Sequence, residues 1–571
     1  MLVGKIENLK VDSTNVLSVL GTNKDLTLSK KIENLTIDLT NILSVVGTSG
    51  EIDASNKIYE VFADMPYYKE HPELLSFLDF EDDLVNRKNV VAIVKGEKAP
   101  SDKTIVLIGH SDTVGISDYS GFEEYATKPY ELAEKLKELK LPADAREDLD
   151  SGNWLFGRGI FDMKCGVATI MTIMEDITKN ISEFEGNLVF AAVGDEEGSS
   201  GGMLAFVPEL VRLQEKHGFE YQAVVDTDYM SPRYENDEQK YIYVGTVGKL
   251  MPSFYVVGKE THVGQPYKGL DPNLITSAII TEVDKNIEYS DVVDKEVSLP
   301  PITLRNRDLK EEYSVQISKT ANLYFNYATH ISTPDMVLEK MKTAAQGAFE
   351  GVVDLLNDRY IDFCAASKFP HTKLPWVPRV LTYDELYNNV HAEMGEKLEA
   401  VVEKYKNELL AKDEIDERDF GLKIIEKVQS LWSDKDPVVI LYFSPPYYPH
   451  IYVNGSNDKE IALLESVSKA VESCDHGYNV INKKFYPYIS DLSFVSAPQD
   501  EKILDTLTLN MPAFGSKYNL PIKDMQKLNL PVVNIGPFGK DAHQYTERIE
   551  KNYSFDVAPK FVYETVKNLL K

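Results

Sequence analysis

The sequence predicts an α/β protein in which a mostly parallel sheet carries helices on both faces and is interrupted by an inserted α+β domain. Three observations lead to this fold class. Short apolar runs rich in β-branched residues alternate with helical segments from residue 88 onward. The alternation stops near Gly245 and resumes after Asn454. Apolar strands that alternate with helices are typical of a parallel sheet covered on both faces.

The individual elements follow from the pattern in chain order. Four runs predict strands in the first part of the chain: NVVAIVKG, KTIVLIG, NLVFAAVG and YQAVVD. Helices are predicted between them, in CGVATIMTIMEDITKNI and GMLAFVPELVRLQEK. The inserted segment contains the strand-like runs KLMPSFYVVG and TANLYFNYA and a charged helical stretch over Leu381–Trp432. The α/β pattern then closes with IALLESVSKAVES, LPVVNIGP and FVYETVKNLL.

A tandem repeat sets the predicted start of the first domain. The stretch KIENLKVDSTNVLSVLGT from Lys5 recurs from Lys31 as KIENLTIDLTNILSVVGT. The second copy runs directly into another helical pattern, so we predict that it forms the first helix and that the first copy is surplus. The predicted organisation is an extra segment over 1–26, a catalytic domain over 27–244 and 455–571, and an inserted domain over 245–454.

Composition excludes several classes of partner. The 571 residues include 61 basic and 91 acidic side chains, a formal net charge of −30. Such a surface repels phosphate backbones and anionic lipids, so neither nucleic acid nor a membrane is an expected partner. Three cysteines cannot form a disulfide framework, and the sequence shows no secretory signal and no apolar run of bilayer length. We therefore expect a cytoplasmic protein.

Residues able to bind metals follow several of the predicted strands. They are His110 and Asp112 after KTIVLIG, Glu196 and Glu197 after NLVFAAVG, Asp226 and Asp228 in YQAVVDTD, Asp162 in the glycine-flanked turn FGRGIFDMKCG, and His543 after VVNIGPFGKD. Each alone is most simply a loop histidine, a solvated acid or a helix cap. Ligands of open α/β sheets bind beyond the carboxyl ends of the strands, however, and these residues share that edge. Together they predict a site for two divalent cations about 3.5–4 Å apart.

Five ordered motifs resemble those of a known family. IGHSDTVG, GRGIFDMKCGVA, GDEEGSSGG, GKETHVGQPYKGLDPN and AHQYTE match, in this order, the zinc aminoacylase and carboxypeptidase family, which includes succinyl-diaminopimelate desuccinylase, carboxypeptidase G, peptidase T and carnosinase. The resemblance extends from about residue 30 to the end of the chain. Further strings, such as PPITLRNRDLKEEYSVQ and LYFSPPYYPHIYVN, resemble the RocB branch of arginine-utilisation proteins.

This resemblance implies a set of metal ligands. They would be His110, Asp162, Glu197, Asp226 and His543. Asp162 would bridge the two ions, and Asp112 would orient the imidazole of His110 through its second nitrogen. Asp228 is the rival of Asp226, because it lies two residues on along an extended chain and so on the same face. Imidazole and carboxylate donors without thiolate suit Zn²⁺, with Co²⁺ or Mn²⁺ as alternatives.

The resemblance also implies an amide hydrolase with two catalytic side chains. Glu196 would be the general base that takes a proton from water and returns it to the leaving amine. Neighbouring side chains of an extended stretch point apart, so Glu196 and Glu197 can serve different tasks. His262, in the inserted lid domain, would stabilise the oxyanion, often from the partner subunit of a lid-domain dimer. The expected partners are a small molecule or short peptide and further copies of the chain.

One departure from the family pattern leaves a second function open. Many family peptidases carry an arginine in a lid strand that holds the substrate's carboxylate, whereas this sequence reads Phe325-Asn326-Tyr327-Ala328-Thr329 there. Arg305 and Arg307 could compensate, although solvated loop charges are the simpler interpretation. The alternative to a hydrolase is therefore a non-catalytic binding or regulatory protein of arginine utilisation that retains the fold.

Overall fold

The computed structural model describes residues 27–80, 83–412 and 415–571. The surplus repeat copy predicted over 1–26 lies outside the described residues. The second copy does form the first helix, as predicted, because α1 spans Leu28–Thr40. Across the described residues, no helix combines the length and apolar character needed to cross a bilayer.

The helices and strands fall into three consecutive stretches of the chain. The first stretch contains α1 (Leu28–Thr40), α2 (Gly50–Asp64), α3 (Pro66–Glu70), β1 (Leu75–Asp79), β2 (Lys88–Lys95), β3 (Lys103–His110), α4 (Pro129–Lys137), α5 (Ala143–Ser151), β4 (Trp154–Phe156), α6 (Cys165–Lys179), β5 (Asn187–Val193), α7 (Gly201–His217), β6 (Glu220–Asp226) and β7 (Lys240–Tyr243). The inserted stretch contains β8 (Gly245–Thr246), β9 (Gly248–Leu250), β10 (Pro252–Val257), α8 (Pro272–Val283), β11 (Val292–Val293), β12 (Glu296–Val297), β13 (Ile302–Asp308), β14 (Thr320–Thr329), α9 (Pro334–Ser367), β15 (Val380–Thr382), α10 (Tyr383–Met394), α11 (Lys397–Leu410), α12 (Glu417–Leu431), β16 (Val438–Phe443) and β17 (Ile451–Tyr452). The last stretch contains α13 (Asp458–Ser473), β18 (Val480–Lys483), α14 (Glu501–Leu509), α15 (Ile522–Leu528), β19 (Val532–Asn534), β20 (Gly539–Lys540), β21 (Arg548–Glu550) and α16 (Ala558–Leu570).

The catalytic domain is built on an eight-stranded sheet in the order β1-β2-β5-β3-β6-β19-β7-β18. Its central strands pair in parallel: β3 with β5, β3 with β6, β6 with β19, and β7 with β18. The pairs β1–β2, β2–β5 and β7–β19 are antiparallel. The interior strands β3 and β5 are mostly apolar and almost entirely buried, and helices α2, α6, α7 and α16 pack against the sheet. The predicted α/β class with a mostly parallel sheet is confirmed.

The inserted domain has a second sheet and a core of its own. Strands β13, β14, β10, β16 and β15 lie side by side, and β9 also pairs with β14. Helices α8 and α9 pack on this sheet, and the predicted helical stretch over Leu381–Trp432 consists of α10, α11 and α12. Leu507, Met511 and Tyr518 also belong to this core, although they follow the predicted boundary at residue 454.

The chain enters and leaves the inserted domain through adjacent strands. Strand β8 pairs antiparallel with β17, so Gly245 and Tyr452 face each other across two short strands. The catalytic and inserted domains meet beside the paired strands Gly245–Thr246 and Ile451–Tyr452, and we call this region the seam. The carboxyl ends of β3, β5 and β6 deliver the polar motifs of the sequence to one edge of the central sheet.

Candidate metal centre

Two groups of side chains that could each hold a metal ion lie at this edge, and they share one carboxylate. The first group is His110, Asp162 and Asp228, and the second is Asp162, Glu197 and His543. Within each group the candidate ligand atoms all lie within 4.8 Å of one another. Mixed imidazole and carboxylate donors around a shared carboxylate are the chemistry of a dinuclear divalent-metal site, so the residues fit two such ions.

Asp162 is placed to bridge the two positions. Its Oδ1 lies 3.0 Å from Nε2 of His110, and its Oδ2 lies 3.0 Å from Nε2 of His543. The residue sits in a distorted helical turn before α6 and is buried. Burial opposes ionisation, but hydrogen bonds to the two histidines lower the pKa of Asp162 below its usual value. A carboxylate that is ionised despite burial is a suitable ligand for cations.

The second group is completed by Glu197 and His543, which the chain separates by more than three hundred residues. Nε2 of His543 lies 2.9 Å from Oε1 of Glu197. Hydrogen bonds to Asp162 and to Glu197 raise the pKa of His543 to about 10. A bound metal would replace this proton, because histidine binds metals in its neutral form.

Asp228, rather than Asp226, is the acid that faces the first group. Asp226 is the last residue of β6, and its carboxylate accepts hydrogen bonds from the Thr227 N–H at 2.7 Å and from the Ser490 hydroxyl at 3.3 Å. Asp228 lies two residues further on and presents its carboxylate to His110 and Asp162. The sequence analysis favoured Asp226, but Asp228 takes its place in our proposed ligand set, because Asp228 lies with His110 and Asp162 in one group of candidate ligands.

Asp112 supports the site by a different set of contacts from the one expected. Nδ1 of His110 lies 3.1 Å from the backbone carbonyl oxygen of Asp112 but 3.7 Å from its carboxylate. The carboxylate accepts hydrogen bonds from the backbone N–H groups of Glu196, at 3.2 Å, and Glu197, at 3.0 Å. Asp112 thus fixes the imidazole through its main chain and the turn that carries both glutamates through its side chain.

Glu196 lines a small cavity together with His110 and Asp228. Burial and the neighbouring carboxylates raise the pKa of Glu196 well above its usual value, although His110 opposes this effect. A general base takes up a proton during the reaction, and a raised pKa favours this uptake. Glu197 belongs to the second ligand group, whereas Glu196 lines the cavity.

His262 lies outside both groups. It is exposed in the segment between β10 and α8, pairs with Gln316 in an isolated bridge, and accepts a hydrogen bond from the Gly264 N–H at 3.1 Å through Nδ1.

The two arginines considered for substrate binding face a lid acid instead. Arg307 lies 2.5 Å from Asp419 and Arg305 lies 3.6 Å from it.

Sequence reasoning missed two acids that surround the centre. Asp491 is buried in the same cavity as Glu196, and neither of its carboxylate oxygens has a hydrogen-bond partner among the described residues. Glu547 is fully buried, lies 2.6 Å from the guanidinium of Arg158, and accepts a hydrogen bond from the Gly159 N–H at 2.8 Å. The only sequence signal for Glu547 was its place in AHQYTE, four residues after His543.

Comparisons with known proteins agree with this site. The family profile described as Peptidase family M20/M25/M40 matches residues 107–566. Protein RocB of Bacillus subtilis (strain 168) is 33% identical over 514 residues, which cover 90% of each chain. The uncharacterized protein YqjN of the same strain is 35% identical over 517 residues, covering 90% of this chain and 91% of YqjN.

More distant relatives extend the likeness. A succinyl-diaminopimelate desuccinylase of Polynucleobacter necessarius subsp. necessarius (strain STIR1) is 27% identical over 206 residues, which are 35% of this chain and 47% of that enzyme. The crystal structure of the aminopeptidase PepT from Bacillus cereus ATCC 10987 has a TM-score of 0.52 at 13% identity, covers 95% of this chain and 99% of PepT, and has the same fold. The chain therefore belongs to peptidase family M20/M25/M40 and is a metal-dependent hydrolase.

Proposed function

We propose that this hydrolase cleaves the amide bond of a small amino-acid derivative or short peptide. The observation that carries the proposal is the Asp162 carboxylate, which faces His110 with one oxygen and His543 with the other. The similarity to a succinyl-diaminopimelate desuccinylase supports an N-acylated amino acid as the substrate class. The resemblance to arginine-utilisation proteins supports a role in arginine catabolism, in the cytoplasm.

The proposed ligands are His110, Asp162 and Asp228 for one ion, and Asp162, Glu197 and His543 for the other. Two divalent ions, Zn²⁺ in our proposal and Co²⁺ or Mn²⁺ as alternatives, would supply Lewis acidity and make water at the site acidic enough to attack at neutral pH. Asp112 holds the His110 ring and the Glu196–Glu197 turn in place for this chemistry.

Glu196 is the proposed general base and acid. It takes the proton of the attacking water and returns it to the nitrogen of the leaving amine. Its place in the cavity beside His110 and Asp228, outside the Glu197 group, supports this role. His262 is exposed, and its contacts are with Gly264 and Gln316 rather than with either ligand group. In our proposal it reaches the oxyanion either when the lid domain moves or from the lid of a partner subunit in a homo-oligomer.

The test is a comparison of the two adjacent glutamates. The purified protein is analysed for metal content and assayed against a panel of N-acyl amino acids and dipeptides that includes arginine derivatives. We expect Glu196→Gln to lower kcat by about 10²–10⁴ with both metals retained. We expect Glu197→Gln to lower metal content and activity together. The exposed Glu134→Gln serves as the control for a lost carboxylate.

Two outcomes would contradict the proposal. Equal activity of Glu196→Gln and the wild-type protein would exclude Glu196 as the base. A wild-type protein that binds two metals and hydrolyses no member of the panel would support the non-catalytic alternative.

A further inference from the structure

A second cavity lies at the seam and is lined from both domains. It has a volume of about 270 Å³. Arg233 and Lys483 line it from the catalytic domain, and Lys295 and His330 line it from the inserted domain. Lys483 is the last residue of β18, and Lys295 lies in the turn between β11 and β12. None of the proposed metal ligands lines this cavity.

The charge of this seam cavity is positive in a chain whose net charge is −30. Within the described ranges, Arg233, Lys295 and Lys483 have no carboxylate within 4.0 Å. The one acid in the lining, Glu296, is already engaged because its carboxylate accepts a hydrogen bond from the Lys484 N–H at 2.8 Å. Three cations therefore converge on the cavity with a single engaged carboxylate beside them.

A buried histidine in the same wall lacks a partner. His330 is 5% exposed, and its Nδ1 has no hydrogen-bond partner among the described residues. The imidazole ring stacks on Phe485, with ring centroids 3.8 Å apart. The backbone N–H of His330 donates a hydrogen bond to the Asp291 carboxylate at 2.8 Å. Burying a polar nitrogen without a partner is unfavourable, and such groups are expected to be satisfied by a ligand or water.

Apolar side chains also line the cavity, namely Val247, Val297, Leu299, Phe485 and Pro487, together with Tyr234 and Tyr241. Cations beside an apolar wall suit an organic acid better than an inorganic anion, because the wall can bury the carbon skeleton. We propose that the seam cavity binds the carboxylate group of a small organic acid. The acid is either the substrate of the metal centre or a separate carboxylate ligand.

An aromatic contact joins a chain neighbour of the cavity lining to a chain neighbour of Asp228. Pro487 lines the cavity, and the next residue, Tyr488, packs against Tyr229 with ring centroids 5.1 Å apart. Tyr229 directly follows Asp228, whose carboxylate faces the first metal position. The seam cavity thus offers cations in a chain whose lid strand lacks the arginine that many family peptidases use to hold the substrate's carboxylate. The version in which the acid is the substrate rests on the proposed function, whereas binding itself does not.

The test measures binding of 4-methylvalerate, which has no amide bond, and of its neutral amide to the full-length, metal-loaded protein by calorimetry. The variants are Arg233→Gln, Lys295→Gln and Lys483→Gln, and Lys404→Gln on α11, with a side chain 80% exposed, is the matched control. We expect each of the three variants to weaken 4-methylvalerate binding about tenfold, because each removes a charge-assisted contact. The control should bind as the wild-type protein does, and the amide should bind to none of the proteins.

Kinetics separate the two sources of the carboxylate. If the acid is the substrate, the three variants raise KM for substrates with a free carboxylate and leave kcat, and the KM of the matching amides, unchanged. If the acid is a separate ligand, KM stays unchanged and only the response of the rate to added 4-methylvalerate is lost. Absence of binding, or binding that is equal in the wild-type protein and all three variants, would overturn the proposal. A protein that binds the acid through these residues but hydrolyses nothing would refute the proposed function alone.

Discussion

A buried ion pair between Arg158 and Glu547 links two of the loops that carry metal ligands. Arg158 is 1% exposed and Glu547 is fully buried, with 2.6 Å between guanidinium nitrogen and carboxylate oxygen. Glu547 also accepts a hydrogen bond from the backbone N–H of Gly159, which lies three residues before Asp162. In the sequence, Glu547 follows His543 by four residues. The perturbation that tests this link is Glu547→Ala.

The magnitude follows from what the substitution leaves behind. Removing one partner of a buried ion pair costs about 3–5 kcal/mol, because the other charge stays buried. Arg158 keeps a second carboxylate, Asp118, with both of its oxygens 2.8 Å from Nη2, which places the expected cost near the lower limit of that range. We expect Glu547→Ala to lower the free energy of unfolding by about 3 kcal/mol. Asp118→Ala is the matched control, and because that side chain is 29% exposed we expect a loss of about 1 kcal/mol or less.

The assay is denaturant unfolding of the metal-free protein, followed by metal titration of the folded variant. Burial raises the pKa of Glu547 to about 7, so the measurement is made at about pH 8, where the carboxylate is ionised. We also expect affinity for the second metal to fall by about 10- to 100-fold, the usual effect of losing a group that orients ligands. Equal midpoints for Glu547→Ala and Asp118→Ala, with unchanged metal affinity, would refute the role assigned to this pair.

Three further predictions concern the ligands and the oxyanion. Asp228→Asn should reduce metal affinity at the first position by at least tenfold, whereas Asp226→Asn should leave it nearly unchanged, and metal titration measures both. A larger loss of affinity in Asp226→Asn than in Asp228→Asn would restore Asp226 as the ligand. His262→Ala should keep the metal content and lower kcat by about 10²–10³, and a parallel loss of metal would argue against an oxyanion role. The pKa of His543 is raised to about 10 by Asp162 and Glu197, so in the metal-free protein its stabilising effect is complete below about pH 6.5 and disappears as the pH rises toward 10. The melting temperatures of the metal-free wild-type protein and His543→Asn should therefore converge as the pH rises over that interval, and a constant difference would contradict the assignment.

The sequence was most informative where chemistry and strand pattern coincide. His110 ends β3, and Glu197 follows β5 after a short turn, so the parallel sheet alone predicts that they share an edge. Asp162 lies in a glycine-flanked turn and His543 follows the run VVNIGPFGKD, and the expectation that both lie at that edge came from this pattern as well as from the ordered motifs of the family resemblance. The fold class could be predicted for the same reason, because fully buried parallel strands appear as continuous apolar runs.

The choice between Asp226 and Asp228 could not be made from the sequence. Both lie on the same face of an extended chain, so alternation does not distinguish them. In the folded chain the Asp226 carboxylate accepts a hydrogen bond from Ser490, more than two hundred and fifty residues away, whereas Asp228 lies with His110 and Asp162. Long-range partners of this kind leave no local pattern. The pairing of Arg158 with Glu547 escaped prediction for the same reason.

The loop that carries His543 is held in an unfavourable backbone conformation by contacts within the turn. His543 has a φ of 65°, in the left-handed region, which costs of the order of 1–3 kcal/mol for a side chain of this size. The conformation persists because the surrounding turn is held at several points. The Asp541 carboxylate accepts a hydrogen bond from the Thr546 hydroxyl at 2.7 Å and pairs with the fully buried Arg548, and Glu547 anchors the end of the turn. These contacts fix the turn, whereas the imidazole of His543 itself contacts Asp162 and Glu197.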